Sequence, residues 1–95
     1  MFAPLIAFAS LGVTRYEFQQ RLQVHGIGSG FHYPAMHLFG VFRKLGYQPG
    51  DCPNAERIGA ETLTLPLFPA MSDADVQSVC GALYSVLEEL SRAGA

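Results

Sequence analysis

The last third of the chain has the clearest pattern, because apolar residues recur there at spacings of three and four. These residues are Val76, Val79, Cys80, Leu83, Val86, Leu87 and Leu90. Such spacing predicts a long amphipathic helix lying across a sheet. Ser72 and Asp75 stand just before it and form a capping box, which predicts where the helix begins.

A second helix is predicted between Thr14 and about Val24. Thr14 and Glu17 form another capping box, and Glu17 lies one turn from Arg21, so that the two can pair. The apolar face of this helix consists of Phe18 and Leu22. Gly26 is expected to end the helix in the left-handed conformation.

The middle of the chain predicts two shorter helices. Apolar residues at helical spacing occupy positions 38–45, and Gly46 should end that helix. Asp51 is expected to cap the next one, which runs towards Gly59 or Ala60.

Three segments are typical of strands. Leu5–Leu11 is a continuous apolar run, Ile27–Tyr33 is rich in glycine, and Thr62–Leu65 alternates between polar and apolar residues. Together with the helices they predict an α+β fold, with about three antiparallel strands covered by helices. At 95 residues, the length suits a single domain over 1–95.

The composition is unusually poor in charge. Hydrophobic residues make up 49% of the chain and charged residues only 15%, where about 25% is usual. A small domain has a high ratio of surface to volume, so this balance predicts that an apolar surface contacts something else. The six basic residues are scattered and the net charge is −2, which argues against nucleic-acid binding. No apolar run approaches the roughly 20 residues of a membrane span.

The cysteines and the first residues indicate a cytoplasmic protein. Cys52 and Cys80 are too few for a disulfide framework and are interpreted as free thiols. The apolar start lacks the positive region of a signal peptide, and Pro4 interrupts it. A strand is therefore the preferred interpretation of this segment.

Neither a phosphate-binding motif nor a zinc-binding motif is complete in this sequence. Gly26–Phe31 looks like a phosphate-binding loop, but a helix precedes it and Phe31 occupies the sixth position, where glycine is required. The three histidines, His25, His32 and His37, match no zinc spacing. The candidate region that remains is the polar and aromatic segment 30–37.

Three segments, in this order, carry a resemblance to a known family: Gly26–Pro34, Leu45–Glu56 and Leu63–Asp73. They are similar to the C-terminal small domain of DegT/StrS-type sugar-nucleotide aminotransferases, which are fold-type I enzymes that use pyridoxal phosphate. The resemblance extends over about residues 5–90. It implies a small antiparallel sheet covered by helices.

The resemblance also implies a role for one segment at the mouth of the active site. The residues that would contact a UDP-sugar there are Gly30, Phe31, His32 and Tyr33. Ser29 stands where the family usually has threonine. The large domain, with its Schiff-base lysine, has no counterpart in this sequence, and Lys44 matches no cofactor-lysine motif. The chain alone is therefore expected to bind no pyridoxal phosphate and to have no transaminase activity.

Two functions stay open at this point. The first is an isolated or truncated C-terminal domain of a sugar-nucleotide aminotransferase. The alternative is a free-standing binding or assembly module, such as a fragment encoded on a mobile cassette. In either case the low charge predicts self-association or docking against a missing large domain.

Overall fold

The computed structural model describes residues 1–93, and its regular structure is almost entirely helical. The α-helices are α1 (Phe8–Leu11), α2 (Arg15–Val24), α3 (Gly40–Arg43), α4 (Pro53–Glu61) and α5 (Asp73–Ala93), with a 3-10 turn at Met36–Leu38. None of these helices is long and apolar enough to cross a membrane.

The two longest helices begin where their capping residues predict. The Glu17 amide donates to the Thr14 hydroxyl at 3.1 Å. At α5 the box is complete, because the Asp75 amide donates to the Ser72 hydroxyl and the Ser72 amide to the Asp75 carboxylate. Gly26, at a φ of 81°, ends α2 as expected.

The predicted pair between Glu17 and Arg21 is wrong. Arg21 instead approaches Glu89 of α5, with 3.5 Å between Nη1 and Oε2. His25 lies 3.2 Å from the other oxygen of the same carboxylate. These partly exposed contacts tether the end of α2 to α5, and each is worth little energy.

The core lies between α2, α5 and the extended segment Thr62–Leu65. Its buried members are Phe8, Phe18, Leu22, Leu63, Leu65, Val79, Ala82, Val86 and Leu90. Phe18 and Leu22, the predicted apolar face of α2, have no exposed surface, and Phe8 packs edge-on against Phe18 with 5.5 Å between ring centroids. The predicted apolar face of α2 is therefore buried, whereas of the seven residues predicted for α5 only Val79, Val86 and Leu90 are buried.

The expected three-stranded antiparallel sheet is wrong. Residues 1–93 contain no strand and only three isolated antiparallel bridges. These bridges join Phe2 to Leu65, Leu5 to Thr62 and Gly30 to Thr64. The three segments predicted as strands thus do meet, with Thr62–Leu65 in the middle, but none continues as a strand.

The hydrogen bonds explain why the pairing stays so short. The Leu63 amide donates to the Pro4 carbonyl at 3.1 Å, but proline has no N–H with which to return a bond. Beyond Ala7 the chain turns into α1, which ends at Gly12 with a φ of 74°. A short apolar run does not distinguish a buried strand from a buried helix, and four of the seven residues of the predicted strand Leu5–Leu11 are in fact helical.

The predicted helix over 38–45 is broken in two. The backbone is extended at Phe39, with a ψ of 145°, so the 3-10 turn stops there and α3 begins only at Gly40. Leu45 remains 73% exposed, so tertiary packing adds little to this weak helix. Gly46 follows with a φ of 105°, as the sequence predicted.

Candidate functional site

Gly30, the first residue of the candidate segment, is held by its backbone. Its amide donates to the Thr64 carbonyl at 3.1 Å, and the Thr64 amide returns a bond to the Gly30 carbonyl at 2.7 Å. Because Leu63 and Leu65 on either side of Thr64 are buried, this bridge joins the candidate segment to the core.

His32 and Tyr33 extend outward from this anchor. His32 Nδ1 lies 2.8 Å from the Thr64 hydroxyl, and the Tyr33 ring packs edge-on against the imidazole at a centroid distance of 5.0 Å. Tyr33 is 69% exposed. The imidazole and the tyrosine hydroxyl thus offer hydrogen-bonding groups to solvent beside an exposed aromatic ring. This combination suits a polar ligand that contains a ring.

Phe31 is held by a residue from another element. The guanidinium of Arg15, at the start of α2, lies 3.8 Å from the centroid of the Phe31 ring, a distance at which cation–π attraction is substantial. Arg15 Nη1 also donates to the Gly59 carbonyl at 2.7 Å. Burial lowers the pKa of the guanidinium, which nevertheless stays charged at neutral pH. Arg15 therefore links Phe31 to the end of α4.

Gly59 in α4 allows the backbone of the candidate segment to pass close by at Pro34 and Ala35. A β-carbon at this position would lie 2.6 Å from the Ala35 amide nitrogen and 3.2 Å from the Pro34 carbonyl carbon. Both are backbone atoms that cannot swing aside. The sequence predicts that this helix ends at Gly59 or Ala60, whereas α4 continues to Glu61.

His37 and Glu56 form a partly buried pair beside this contact. His37 is 8% exposed, and its Nε2 lies 3.1 Å from Glu56 Oε2. The same carboxylate accepts bonds from the Gly50 amide at 2.8 Å and the Cys52 amide at 3.3 Å. Asp51, the expected cap of α4, instead accepts from the Gln48 amide. Glu56 is thus the group that joins the 48–52 turn, α4 and the 3-10 turn.

The pKa of the Glu56 carboxyl reflects this setting. Burial raises the pKa, but the hydrogen bonds from Gly50, His37 and Cys52 outweigh it, so the pKa lies below its ordinary value of 4.5. The bonds favour the charged form because each places a donor on the carboxylate.

The three histidines lie apart, each with a different partner. His25 contacts Glu89, His32 contacts Thr64 and His37 contacts Glu56. Within residues 1–93, no three His, Cys, Asp or Glu side chains are grouped as a metal site would require.

Two features of the described residues bear on pyridoxal phosphate, namely Lys44 and the glycine-rich stretch before Phe31. Lys44, the chain's single lysine, is exposed just beyond α3, and its side chain forms no hydrogen bond or ion pair with the described part of the chain. The glycine-rich stretch that precedes Phe31 follows α2 rather than opening a helix, so it does not form the phosphate cradle of a helix N-terminus.

Sequence reasoning missed the residues that support the candidate segment. Arg15, Gly59, Glu56 and Thr64 lie 16 to 32 positions away along the chain from the residues they contact. An alternating pattern predicted that Thr64 is extended, but no local signal pairs a helix-start arginine with a distant phenylalanine.

Comparison with known proteins adds a decisive observation. Residues 2–84 match the DegT/DnrJ/EryC1/StrS aminotransferase family. The chain belongs to this aminotransferase family. The resemblance of the three sequence motifs is thereby confirmed.

Two relatives are similar to most of this chain. An uncharacterized protein, MJ1066 of Methanocaldococcus jannaschii, is 36% identical over 86 residues, which are 90% of this chain and 22% of that protein. The spore coat polysaccharide biosynthesis protein SpsC of Bacillus subtilis is 38% identical over 79 residues, or 81% of this chain and 20% of SpsC.

A solved structure is also similar. The aminotransferase TlmJ from Streptoalloteichus hindustanus superposes with a TM-score of 0.68 at 37% sequence identity, covering 82% of this chain and 20% of TlmJ. The matched part of this aminotransferase-family chain thus spans about a fifth of the length of each of these relatives.

The close approach at Gly59 yields a stability prediction. Gly59→Ala should lower the free energy of unfolding by about 1–3 kcal/mol, because the new methyl group must displace the backbone at Ala35. Urea unfolding followed by circular dichroism measures this change. Gly81→Ala is the matched control: a β-carbon there meets nothing within 4 Å, so alanine should stabilise α5 by up to about 1 kcal/mol. Equal changes in the free energy of unfolding for the two substitutions would contradict the assigned role of Gly59.

The Glu56 carboxylate yields a pH prediction. Because its pKa is lowered in the folded chain, its contribution is complete above the ordinary value and is lost as pH falls through the lowered one. Glu56→Gln should therefore destabilise the protein near pH 7, and the difference from wild type should shrink below about pH 4.5. Unfolding by urea at a series of pH values tests this.

Glu88→Gln serves as its control, since Glu88 is 72% exposed in α5. Its effect on the free energy of unfolding should be small at every pH. A Glu56→Gln effect that stays constant down to pH 3 would refute the assigned role.

Proposed function

We propose that this chain is the part of a sugar-nucleotide aminotransferase that contributes residues to the mouth of the substrate site. Its Gly30, Phe31, His32 and Tyr33 contact a UDP-sugar, and the amino-transfer chemistry belongs to residues outside this chain. The observation that carries the proposal is the family match over residues 2–84, together with the anchoring of this segment to the core at Thr64.

The geometry of the segment supports such a role. Tyr33 offers an exposed aromatic ring and His32 an exposed imidazole, and aromatic side chains are common stacking partners for nucleobases. Arg15 stacks on Phe31, and Gly59 leaves room for the backbone of Pro34 and Ala35. Preorganisation of this kind lowers the entropy cost of binding a ligand.

Two relatives favour the same substrate class. SpsC takes part in spore coat polysaccharide biosynthesis and TlmJ is an aminotransferase, so a sugar substrate for amino transfer is consistent with both. We also propose a cytoplasmic location, because Cys52 and Cys80 are both free and exposed and such thiols persist in reducing compartments.

Binding of a UDP-sugar is the direct test. We expect UDP-N-acetylglucosamine, titrated into the ¹⁵N-labelled chain, to shift the amide signals of residues 30–33 in a saturable way. His32→Ala should weaken binding about fivefold, since a lost hydrogen bond is worth roughly 1 kcal/mol. His25→Ala is the matched control, because His25 contacts Glu89 at the far end of α2, and it should bind as wild type does. Absence of saturable shifts at residues 30–33 would contradict the proposal and favour an assembly module without a ligand.

A second test concerns the cofactor. In the parent family pyridoxal phosphate supplies the electron sink for amino transfer, but here we expect no stoichiometric imine, because Lys44 has no side-chain partner to orient it. The chain is mixed with pyridoxal phosphate, reduced with borohydride and analysed by peptide mass spectrometry. Lys44→Arg is the control and should give the same low background. Full labelling of Lys44 at equimolar cofactor would overturn this expectation.

A further inference from the structure

The imidazole of the candidate segment is held by one side chain from the extended segment Thr62–Leu65. The Thr64 hydroxyl lies 2.8 Å from Nδ1 of His32, well within hydrogen-bonding distance. This is the single hydrogen bond that the His32 ring forms with residues 1–93. The other ring nitrogen, Nε2, therefore has no partner in the described part of the chain, and His32 is exposed.

The position of Thr64 is itself fixed by contacts that do not involve His32. Its backbone exchanges two hydrogen bonds with Gly30, at 3.1 and 2.7 Å, and Leu63 and Leu65 on either side are buried in the core. Threonine is also branched at the β-carbon, which restricts the directions open to its hydroxyl. Thr64 therefore presents this hydroxyl to His32 from a part of the chain that is anchored to the core.

Two further contacts confine the imidazole. The Tyr33 ring packs edge-on against it, with 5.0 Å between the centroids. A β-carbon at Gly30 would lie 3.7 Å from Cε1 of His32, so the ring lies close to the backbone of the bridge. With Nδ1 bonded to Thr64, Nε2 is the ring nitrogen that is left to meet a ligand.

The hydroxyl also decides which ring nitrogen carries the proton. A neutral imidazole has one N–H donor and one acceptor nitrogen, and the hydrogen bond at one nitrogen sets the role of the other. The Thr64 hydroxyl has no other acceptor among residues 1–93, so donation to Nδ1 is the arrangement that uses its proton. Nε2 then carries the ring proton and is a donor.

We propose that Thr64 is a positioning residue for substrate binding, which holds His32 with its Nε2–H directed at an acceptor oxygen of the nucleotide sugar. The phosphate oxygens of such a ligand are anionic acceptors, and a donor at Nε2 gains the stronger kind of hydrogen bond with them. An Nε2 lone pair would instead face their negative charge. This inference rests on the proposed function and adds a residue that acts through His32 without touching the ligand.

Nitrogen-15 NMR of the histidine rings tests the tautomer without any ligand. At about pH 8.5, where an ordinary imidazole is neutral, we expect a protonated Nε2 and an unprotonated Nδ1 in His32. Thr64→Val keeps the branched shape but removes the hydroxyl, so both nitrogen signals should move towards those of a tautomer mixture. Thr64→Ser keeps the hydroxyl and should restore the wild-type signals. His25 and His37 are internal controls, because carboxylates hold their rings, and their signals should stay unchanged.

Titration with UDP-N-acetylglucosamine tests whether this ordering matters for binding. Thr64→Val should weaken binding about two- to fivefold, because the freed imidazole must be ordered again when the ligand binds. Since Thr64 acts through His32, adding Thr64→Val to His32→Ala should weaken binding no further. Ser78→Ala is the matched control: it removes a hydroxyl that donates to the Ala74 carbonyl within α5, and it should bind as wild type does.

The outcomes separate this inference from the proposed function. A protonated Nδ1 in wild-type His32, or His32 signals that Thr64→Val leaves unchanged, overturns the inference. Thr64→Val binding as tight as that of wild type also overturns it, as does an equal loss in the His32→Ala background, and in both cases the substrate proposal stands. If wild type does not bind the nucleotide sugar but Thr64→Val changes the tautomer, the substrate proposal fails and only the hold of Thr64 on His32 is supported.

Discussion

The backbone of Thr62–Leu65 is the constraint on which the rest of this structure depends. Its amides bond alternately to two sides, Leu63 and Leu65 to the N-terminal segment and Thr64 to Gly30. The side chains of Leu63 and Leu65 enter the core at the same time. One extended segment therefore orders the N-terminus, the hydrophobic core and the candidate substrate segment together.

This constraint also explains why the molecule has bridges rather than a sheet. Helix propensity and capping are local, so Thr14 and Ser72 predicted α2 and α5 well. A strand exists only through its neighbours, and here Pro4 interrupts one side of the pairing while the other side is reduced to Gly30. The segment 38–45 does not form one continuous helix, because little of its apolar surface is buried against the remainder of the chain. Its helix, like a strand, would have depended on contacts with other segments.

The candidate site shows the same division between local and distant causes. The sequence motifs identified Gly30, Phe31, His32 and Tyr33 as candidate site residues, because these four residues lie in a segment that resembles the aminotransferase family. What holds these residues comes from elsewhere: Arg15 stacks on Phe31, and Gly59 admits the chain at Pro34 and Ala35. The low charge of the composition likewise indicated an uncovered surface, and part of the apolar surface of α5 is exposed.

By itself, the sequence determined the family, the starts of the two capped helices, the buried face of α2, and the deficit of charge. These depend on residue identity and on neighbours within one or two turns, which the order of residues records directly. Only the tertiary structure decided that the extended segments stop at isolated bridges, that Arg21 pairs with Glu89 rather than Glu17, and that Glu56 pairs with His37. Each of these depends on which distant groups meet in space, where a missing N–H or a nearer partner outweighs the local preference.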